Sequence, residues 1–195
     1  MSPSDGVLAD LRLAWAEHRR YVHLAVGLFA LGCLLGVLLV DRVDLFGLIG
    51  LGDLGEAFPE DITTLVIFAN NSVVLAITVL GILSFGILTV IVLVFNGVIL
   101  GYVAVPAARE AGVAFVVVGV VPHAILELPA FFLGAAVAFR LLHRFVDRIR
   151  DHRARVLDPG EGRRVVLLLA AAWLAVAVAA AVEVHVTFRL IRWLF

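Results

Sequence analysis

Residues 62–108 contain no charged side chain, and this run constrains the fold more than any other feature of the chain. One transmembrane helix needs about 20 apolar residues, so the run is too long for a single span. It predicts two antiparallel spans, 62–81 and 85–108, joined by a tight turn near Gly81 to Gly86. The composition agrees, with 63% hydrophobic and 16% charged residues, whereas soluble domains average about 45–50% and about 25%.

Three further apolar segments complete a predicted all-α, polytopic bundle of five transmembrane helices. These segments cover residues 21–40, 112–139 and 165–188, and a basic connection, residues 140–164, joins the last two. Residues 1–20 are polar at first and then amphipathic. They predict a short helix on the membrane surface or a loosely ordered arm. This arm precedes a single transmembrane domain, residues 21–195.

Two prolines interrupt the fourth predicted span. Pro122 and Pro129 each remove a backbone donor and clash with the preceding turn of a helix. The fourth helix is therefore expected to be kinked or broken inside the bilayer. A half-helix starting at Pro122 would direct the partial positive charge of its free amide groups toward the neighbouring polar side chains.

The distribution of arginine predicts the orientation of the chain. Residues 140–164 hold eight arginines against four acidic residues, whereas the 41–61 loop is mainly acidic. Short loops rich in arginine stay in the cytoplasm. With five spans, the amino terminus and the 140–164 connection are expected in the cytoplasm, and the 41–61 loop outside. The expected location is the cell membrane, with several passes.

His123 and Glu127 are the most informative polar residues, because they lie inside an apolar run. A charged residue at the bilayer centre costs roughly 2.5–3.5 kcal/mol on insertion scales. The two side chains are four residues apart and share one helix face. Glu183 lies near the end of the fifth span in a comparable setting. Two interpretations stay open at this stage, namely a static polar lock between helices and a binding site for a ligand, ion or proton.

Three asparagines extend this predicted intramembrane cluster. Asn70, Asn71 and Asn96 can donate and accept hydrogen bonds between helices, and such bonds average about 0.6 kcal/mol in membranes. Packing is the expected role for two of the three, and one asparagine is expected to reach the His123–Glu127 pair.

Small residues at four-residue spacing predict close helix packing. They are Gly32 and Gly36, Gly97 and Gly101, and the stripe Ala130, Gly134 and Ala138. Such residues let helix backbones approach each other closely. For Gly32 and Gly36 a neighbouring span of the same chain is the favoured partner. The third stripe could instead build a homodimer.

Several function classes find no support in the sequence. The His-x-x-x-Glu spacing differs from the His-Glu-x-x-His of zinc proteases, and no serine has a base at recognisable spacing. No enzyme activity, metal or cofactor is therefore expected. The arginines are not grouped with aromatic residues in a soluble domain, so nucleic acid is not an expected partner.

The polar and small residues together resemble the stage II sporulation protein M family. The resemblance rests on Asn70-Asn71, on Phe95-Asn96-Gly97-x-x-x-Gly101, and on Pro122-His123-x-x-x-Glu127-Leu128-Pro129-Ala130. It extends in order over about residues 20–190. Two positions depart from the family pattern, since Ala124 stands where glycine usually follows the histidine, and Phe139 stands where a small residue is common.

This resemblance implies a non-enzymatic membrane protein that acts as a scaffold or in membrane remodelling. In spore formers, the family member acts in engulfment and anchors proteins that degrade peptidoglycan. Relatives also occur in organisms that do not sporulate, so only the membrane role carries over. The expected partners are the lipid bilayer, membrane or cell-envelope proteins, and a second copy of the chain. The alternative is a transporter, channel or permease-like subunit that uses the mid-membrane His, Glu and Asn residues.

Overall fold

The computed structural model describes residues 3–48, 63–150, 155–158 and 160–195. These residues form helices and contain no strand, which confirms the predicted all-α class. Five of the helices are long and apolar enough to cross a membrane. Most of the 41–61 loop, residues 49–61, lies outside the described residues.

The chain contains seven α-helices in the described residues. They are α1 (Pro3–Leu39), α2 (Leu45–Leu48), α3 (Thr64–Leu80), α4 (Ile87–Ala111), α5 (Val113–Ile149), α6 (Glu161–Val182) and α7 (Phe188–Leu194). A short 3₁₀ helix, Gly81–Ser84, follows α3, and a π-helical segment, Glu183–Thr187, joins α6 to α7. The last spanning unit therefore consists of α6, the π-helical segment and α7.

Helices α1 and α4 make the most extensive contact of the bundle. Gly32 and Gly36 of α1 lie directly against Gly97 and Gly101 of α4. A Cβ atom on any of these glycines would collide with a backbone carbonyl group of the opposite helix. Because lipid tails are as apolar as side chains, such close backbone approach is a main source of helix association in membranes. We refer to this contact as the glycine seam.

Helix α5 lies at the centre and contacts all the other spanning helices. Its small residues face inward, and Ala130 and Ala138 are both 1% exposed. Gly134 is buried against Leu75 of α3. The stripe Ala130, Gly134 and Ala138 is therefore covered within one chain, and the prediction that it builds a homodimer is wrong. Spacing places these residues on one face but does not say which helix covers it.

Helix α5 continues through both prolines. The half-helix expected to begin at Pro122 does not form, so the prediction of free amide groups there is wrong. Each proline still leaves a carbonyl group without its usual helical donor, those of Val118 and Ile125. Neighbouring helices support a membrane helix that contains proline, and α5 has such neighbours along its length.

Two predicted boundaries also differ from the structure. In the described part of the arm, residues 3–20, no break precedes the first span, because α1 is one helix from Pro3 to Leu39. The 140–164 connection is mostly helical, since α5 extends to Ile149 and α6 begins at Glu161. Charged residues stop a hydropathy pattern but do not stop a helix, and both helices therefore leave the apolar layer without ending.

Tight turns join α3 to α4 and α4 to α5. In the first turn, Phe85 and Gly86 both have positive φ angles of 53° and 84°. The Thr89 hydroxyl group donates to the Thr78 carbonyl group at 2.8 Å and ties the two helices together. In the second turn, Gly112 alone separates α4 from α5.

We expect Gly112→Ala to destabilise the protein by about 1–3 kcal/mol, because its backbone conformation is almost restricted to glycine. Gly112 has φ 89° and ψ 160°. Thermal unfolding in detergent measures the loss. Gly162→Ala is the matched control, since Gly162 lies inside helix α6 and has open space around it. Equal stability of the two variants would contradict this account of the turn.

Polar contacts mark the end of the bundle that holds this second turn. The Arg109 guanidinium group donates to both carboxylate oxygens of Asp41, at 2.6 and 2.8 Å. These hydrogen bonds hold the pKa of Asp41 below its ordinary value. The Tyr102 hydroxyl group donates to the Val43 carbonyl group at 3.0 Å. The segment after α1 is thus fixed to α4 at this end.

Candidate functional site in the membrane interior

His123 and Glu127 lie on one face of α5, near the middle of its apolar part, residues 113–139. At 1.5 Å per residue, Glu127 is about 21 Å from Val113 and about 20 Å from Arg140 along the helix axis. Both side chains are half-buried. The pair therefore lies near the middle of the apolar layer, at the depth where polar groups are most costly.

Glu183 from the last spanning unit completes a three-residue cluster with this pair. One ligand-type atom from each of His123, Glu127 and Glu183 lies within 4.8 Å of the other two. Glu183 is the first residue of the π-helical segment. A π-helical segment adds a residue to a helical turn, and such segments are frequent at functional sites. We call these three residues the His–Glu–Glu cluster.

The His–Glu–Glu cluster opens into a cavity of about 420 Å³. Phe29 of α1 and Asn96 of α4 also line this cavity, together with apolar side chains of α4 and α5. The described residues that line it include no arginine. Two carboxyl groups thus face one cavity, and the imidazole of His123 is the basic side chain beside them among the described residues that line it.

The three asparagines occupy different positions around the cluster. Asn71 is buried and lies within hydrogen-bonding reach of the Glu127 carboxyl group. Asn70 is exposed, and its amide group donates to the Asn71 side chain at 3.2 Å. Asn96 lines the cavity while its amide group donates to the Val92 carbonyl group at 2.8 Å. The structure therefore places one asparagine directly against the His123–Glu127 pair.

His185 does not join the cluster, although it is only two residues from Glu183. Its Nε2 atom lies 3.3 Å from the Thr64 hydroxyl group, at an exposed position. By contrast, the Nδ1 atom of His123 is shielded from solvent and has no hydrogen-bond partner among the described residues. Buried polar atoms without a partner are rare and call for an explanation.

A second polar cluster, which the sequence analysis missed, lies at the opposite end of α5 from Gly112. Arg140 and Arg144 of α5 both contact Glu161 at the start of α6, at 2.6 and 2.7 Å. Arg140 also lies 3.1 Å from Glu17 of α1, which receives two hydrogen bonds from Arg164. We call these five residues the inner ion-pair cluster.

The inner ion-pair cluster is buried at its centre, since the side chains of Arg140 and Glu161 are each 3% exposed. His18 lies beside it with 0% exposure and has its Nδ1 atom 2.7 Å from the Ala14 carbonyl oxygen. The four-residue spacing of Arg140 and Arg144 places both side chains on one face of a helix, and this spacing was a usable indication of the cluster. The partners Glu17 and Glu161 are far apart in sequence, however, and only the folded chain brings them together.

Comparisons with known proteins give a family match and a distant relative. The model of a family described as Stage II sporulation protein M matches residues 25–188. The chain is 22% identical over 161 residues to an uncharacterized protein of Methanocaldococcus jannaschii, covering 77% of this chain and 90% of that protein. No solved structure matches the chain.

Proposed function

Because the chain belongs to the stage II sporulation protein M family, we propose that it is a non-enzymatic membrane scaffold that anchors partner proteins. The family resemblance implies such a role. The described residues form one bundle of membrane-spanning helices. A membrane scaffold acts by binding other proteins.

The observation that carries this proposal is the excess length of α1 and α5. Each helix has 37 residues, which corresponds to about 55 Å. A bilayer with its headgroups is about 40–45 Å thick. In α1 the charged residues all lie N-terminal to Tyr21. In α5 the first charged residue after Glu127 is Arg140. Both helices therefore project from the same side of the bundle, the side that holds the inner ion-pair cluster.

The projecting parts of these helices form a surface that we name the platform: residues 9–18 of α1 and 140–149 of α5. Ion pairs hold the two parts together through Arg140 and Glu17. Two large apolar side chains of the platform, Trp15 and Phe145, are 52% and 40% exposed. Exposed apolar side chains rimmed by charges are typical of protein-binding surfaces, which supports a docking role.

The proposed orientation places the platform in the cytoplasm. The end of the bundle that holds the platform also holds Arg19, Arg20 and the arginines of residues 140–164. The positive-inside rule therefore favours a cytoplasmic platform and an outer position for Asp41 and Arg109. The role in anchoring cell-envelope proteins then falls to the opposite side.

Site-specific photocrosslinking in cells tests the scaffold proposal. We expect a photoreactive phenylalanine at Trp15 or Phe145 to give a discrete protein adduct. The matched control is Leu34, which lies in the apolar part of α1 and is 56% exposed. The same probe at Leu34 is expected to label lipid alone. A folded chain that yields no protein adduct at Trp15 or Phe145 would contradict the proposal.

The cavity at the His–Glu–Glu cluster favours a second candidate function, as a transporter, channel or permease-like subunit. A cavity of about 420 Å³ with polar groups at mid-membrane depth is typical of substrate and ion sites in transporters. In this role Glu127 would take up the transported ion or proton.

Flux measurements in liposomes distinguish this function from a static polar lock. In a transporter, Glu127→Gln is expected to abolish proton or cation flux and to leave folding intact. Glu110→Gln, at an exposed position near the end of α4, serves as the control with unchanged flux. If the native chain shows no flux and Glu127→Gln only lowers the unfolding temperature, the cluster is a packing element.

A further inference from the structure

Three side chains from two separate helices meet at mid-membrane depth, and all three are of metal-ligating types. Their ligand atoms lie within 4.8 Å of one another. We propose that His123, Glu127 and Glu183 bind one divalent transition-metal ion, with Zn²⁺ as the ion to be tested. The inference goes beyond the scaffold role and does not depend on it.

The charges of the cluster favour a cation. Two carboxyl groups share one cavity, and the described residues lining that cavity offer no arginine to either of them. Ionisable groups inside membranes are normally paired, because an unpaired charge is costly there. Asn71 offers Glu127 a neutral amide group, so the imidazole of His123 is the one group among these neighbours that could carry a compensating positive charge. A divalent cation neutralises both carboxylates at once.

The ligand types favour a transition metal over calcium or magnesium. Imidazole suits zinc, iron, copper and nickel, whereas calcium and magnesium prefer oxygen ligands alone. Three protein ligands with an open fourth position are typical of zinc sites that hold a water molecule or a second ligand. Here the open position would face the cavity of about 420 Å³.

The spacing of the three ligands is close to that of a formed site. Zinc binds nitrogen and oxygen at about 2.0–2.2 Å, so tetrahedral ligands lie about 3.4 Å apart. The ligand atoms lie up to 4.8 Å apart here. Binding of a zinc ion would therefore bring them roughly 1.4 Å closer together. Rotation of the two flexible glutamate side chains covers this distance without movement of the helices.

Two further observations point to a ligand at this place. The shielded Nδ1 atom of His123 has no hydrogen-bond partner among the described residues, and coordination of a metal ion through Nδ1 would give this atom a partner. In addition, the last spanning unit changes from α-helical to π-helical winding at Glu183. This change in winding fixes where the Glu183 carboxyl group lies relative to α5.

The test uses the full chain without a histidine tag, purified in detergent. We expect one Zn²⁺ per chain by elemental analysis after equilibration and washing. Cobalt(II) is expected to replace zinc and to give the visible absorption of a four-coordinate site. Glu183→Gln and His123→Asn are each expected to weaken zinc binding at least tenfold. Elution as a single species by size exclusion shows that each variant is folded.

Matched controls separate this site from surface binding. Glu110 and His143 are both exposed and lie outside the cluster, so Glu110→Gln and His143→Asn are expected to retain full zinc binding. Equal losses in cluster and control variants would overturn the proposal. It would also be overturned if the folded native chain bound neither zinc nor cobalt, because protons shared by the carboxyl groups would then explain the cluster.

A thermal measurement gives a second readout that does not require an activity. A ligand that binds only the folded chain raises its unfolding temperature. Zinc is therefore expected to raise the unfolding temperature of the native chain, and a chelator is expected to reverse the rise. Glu127→Gln should lose this response to zinc. An unchanged response in Glu127→Gln would exclude that residue from the site.

Discussion

Glu161→Gln is expected to destabilise the protein by about 3–5 kcal/mol, because it removes one side of a buried ion pair. The Glu161 carboxylate accepts hydrogen bonds from Arg140, Arg144 and the backbone amide of Asp158, all at 2.6–2.7 Å. An amide side chain keeps the shape but removes the negative charge that contacts both Arg140 and Arg144, so the buried guanidinium group of Arg140 keeps only its longer contact with Glu17. Thermal and denaturant unfolding in detergent measure the loss.

Two control variants test whether the loss of stability comes from burial of the ion pair. Arg163 and Asp10 form a partly exposed ion pair at 3.3 Å, with the Arg163 side chain 63% exposed, and Arg163→Met is expected to cost no more than about 1 kcal/mol. The double variant Arg140→Met with Glu161→Met is expected to lose less than the sum of its single variants, since it leaves neither charge buried alone. A Glu161→Gln variant as stable as Arg163→Met would show that the cluster is solvated.

The second large effect is expected at the glycine seam. Gly97→Ala would place a methyl group against the Phe29 carbonyl group of α1. The added carbon is fixed directly to the backbone of α4, and the carbonyl oxygen belongs to the backbone of α1. The clash is therefore relieved only if α1 and α4 separate, and overpacking of this kind costs about 1–3 kcal/mol. We expect a lower unfolding temperature and less folded protein in the membrane, measured by size exclusion in detergent.

Gly27→Ala is the matched control for the glycine seam. Gly27 also lies in α1, but no atom lies within 4 Å of a Cβ at this position. Alanine is favoured over glycine inside helices by roughly 0.5–1 kcal/mol, so Gly27→Ala is expected to be neutral or slightly stabilising. A loss of stability at Gly27 as large as that at Gly97 would indicate that glycine matters there for a reason other than close packing.

The number and class of the elements were predictable from hydropathy, whereas several helix ends were not. Residues 62–108 are uncharged, and the structure has two helices and a turn there. The 140–164 segment was read as a connection because arginine interrupts its apolar pattern. Arg140 and Arg144 in fact continue α5, since their guanidinium groups find carboxylate partners at the edge of the apolar layer.

The candidate site was likewise predictable within one helix and not predictable where it depends on packing between helices. His123 and Glu127 were predictable as a pair because helix geometry fixes the relation of residues four apart. The approach of Glu183 was not predictable in this way, since it depends on how the last spanning unit packs on α5 and on its local π-helical winding. The stripe Ala130, Gly134 and Ala138 was misread as a dimer surface because spacing along one helix does not identify the neighbour.

The inner ion-pair cluster also sets an order for biosynthesis. Glu17 belongs to α1, and its partner Arg164 in α6 follows it by 147 residues. The glycine seam needs only residues up to Gly101 and can close earlier. A nascent chain halted after residue 150 would therefore already hold α1 to α4 through the glycine seam and to α5 through Glu17 and Arg140, whereas the contact of Glu17 with Arg164 has to wait for α6.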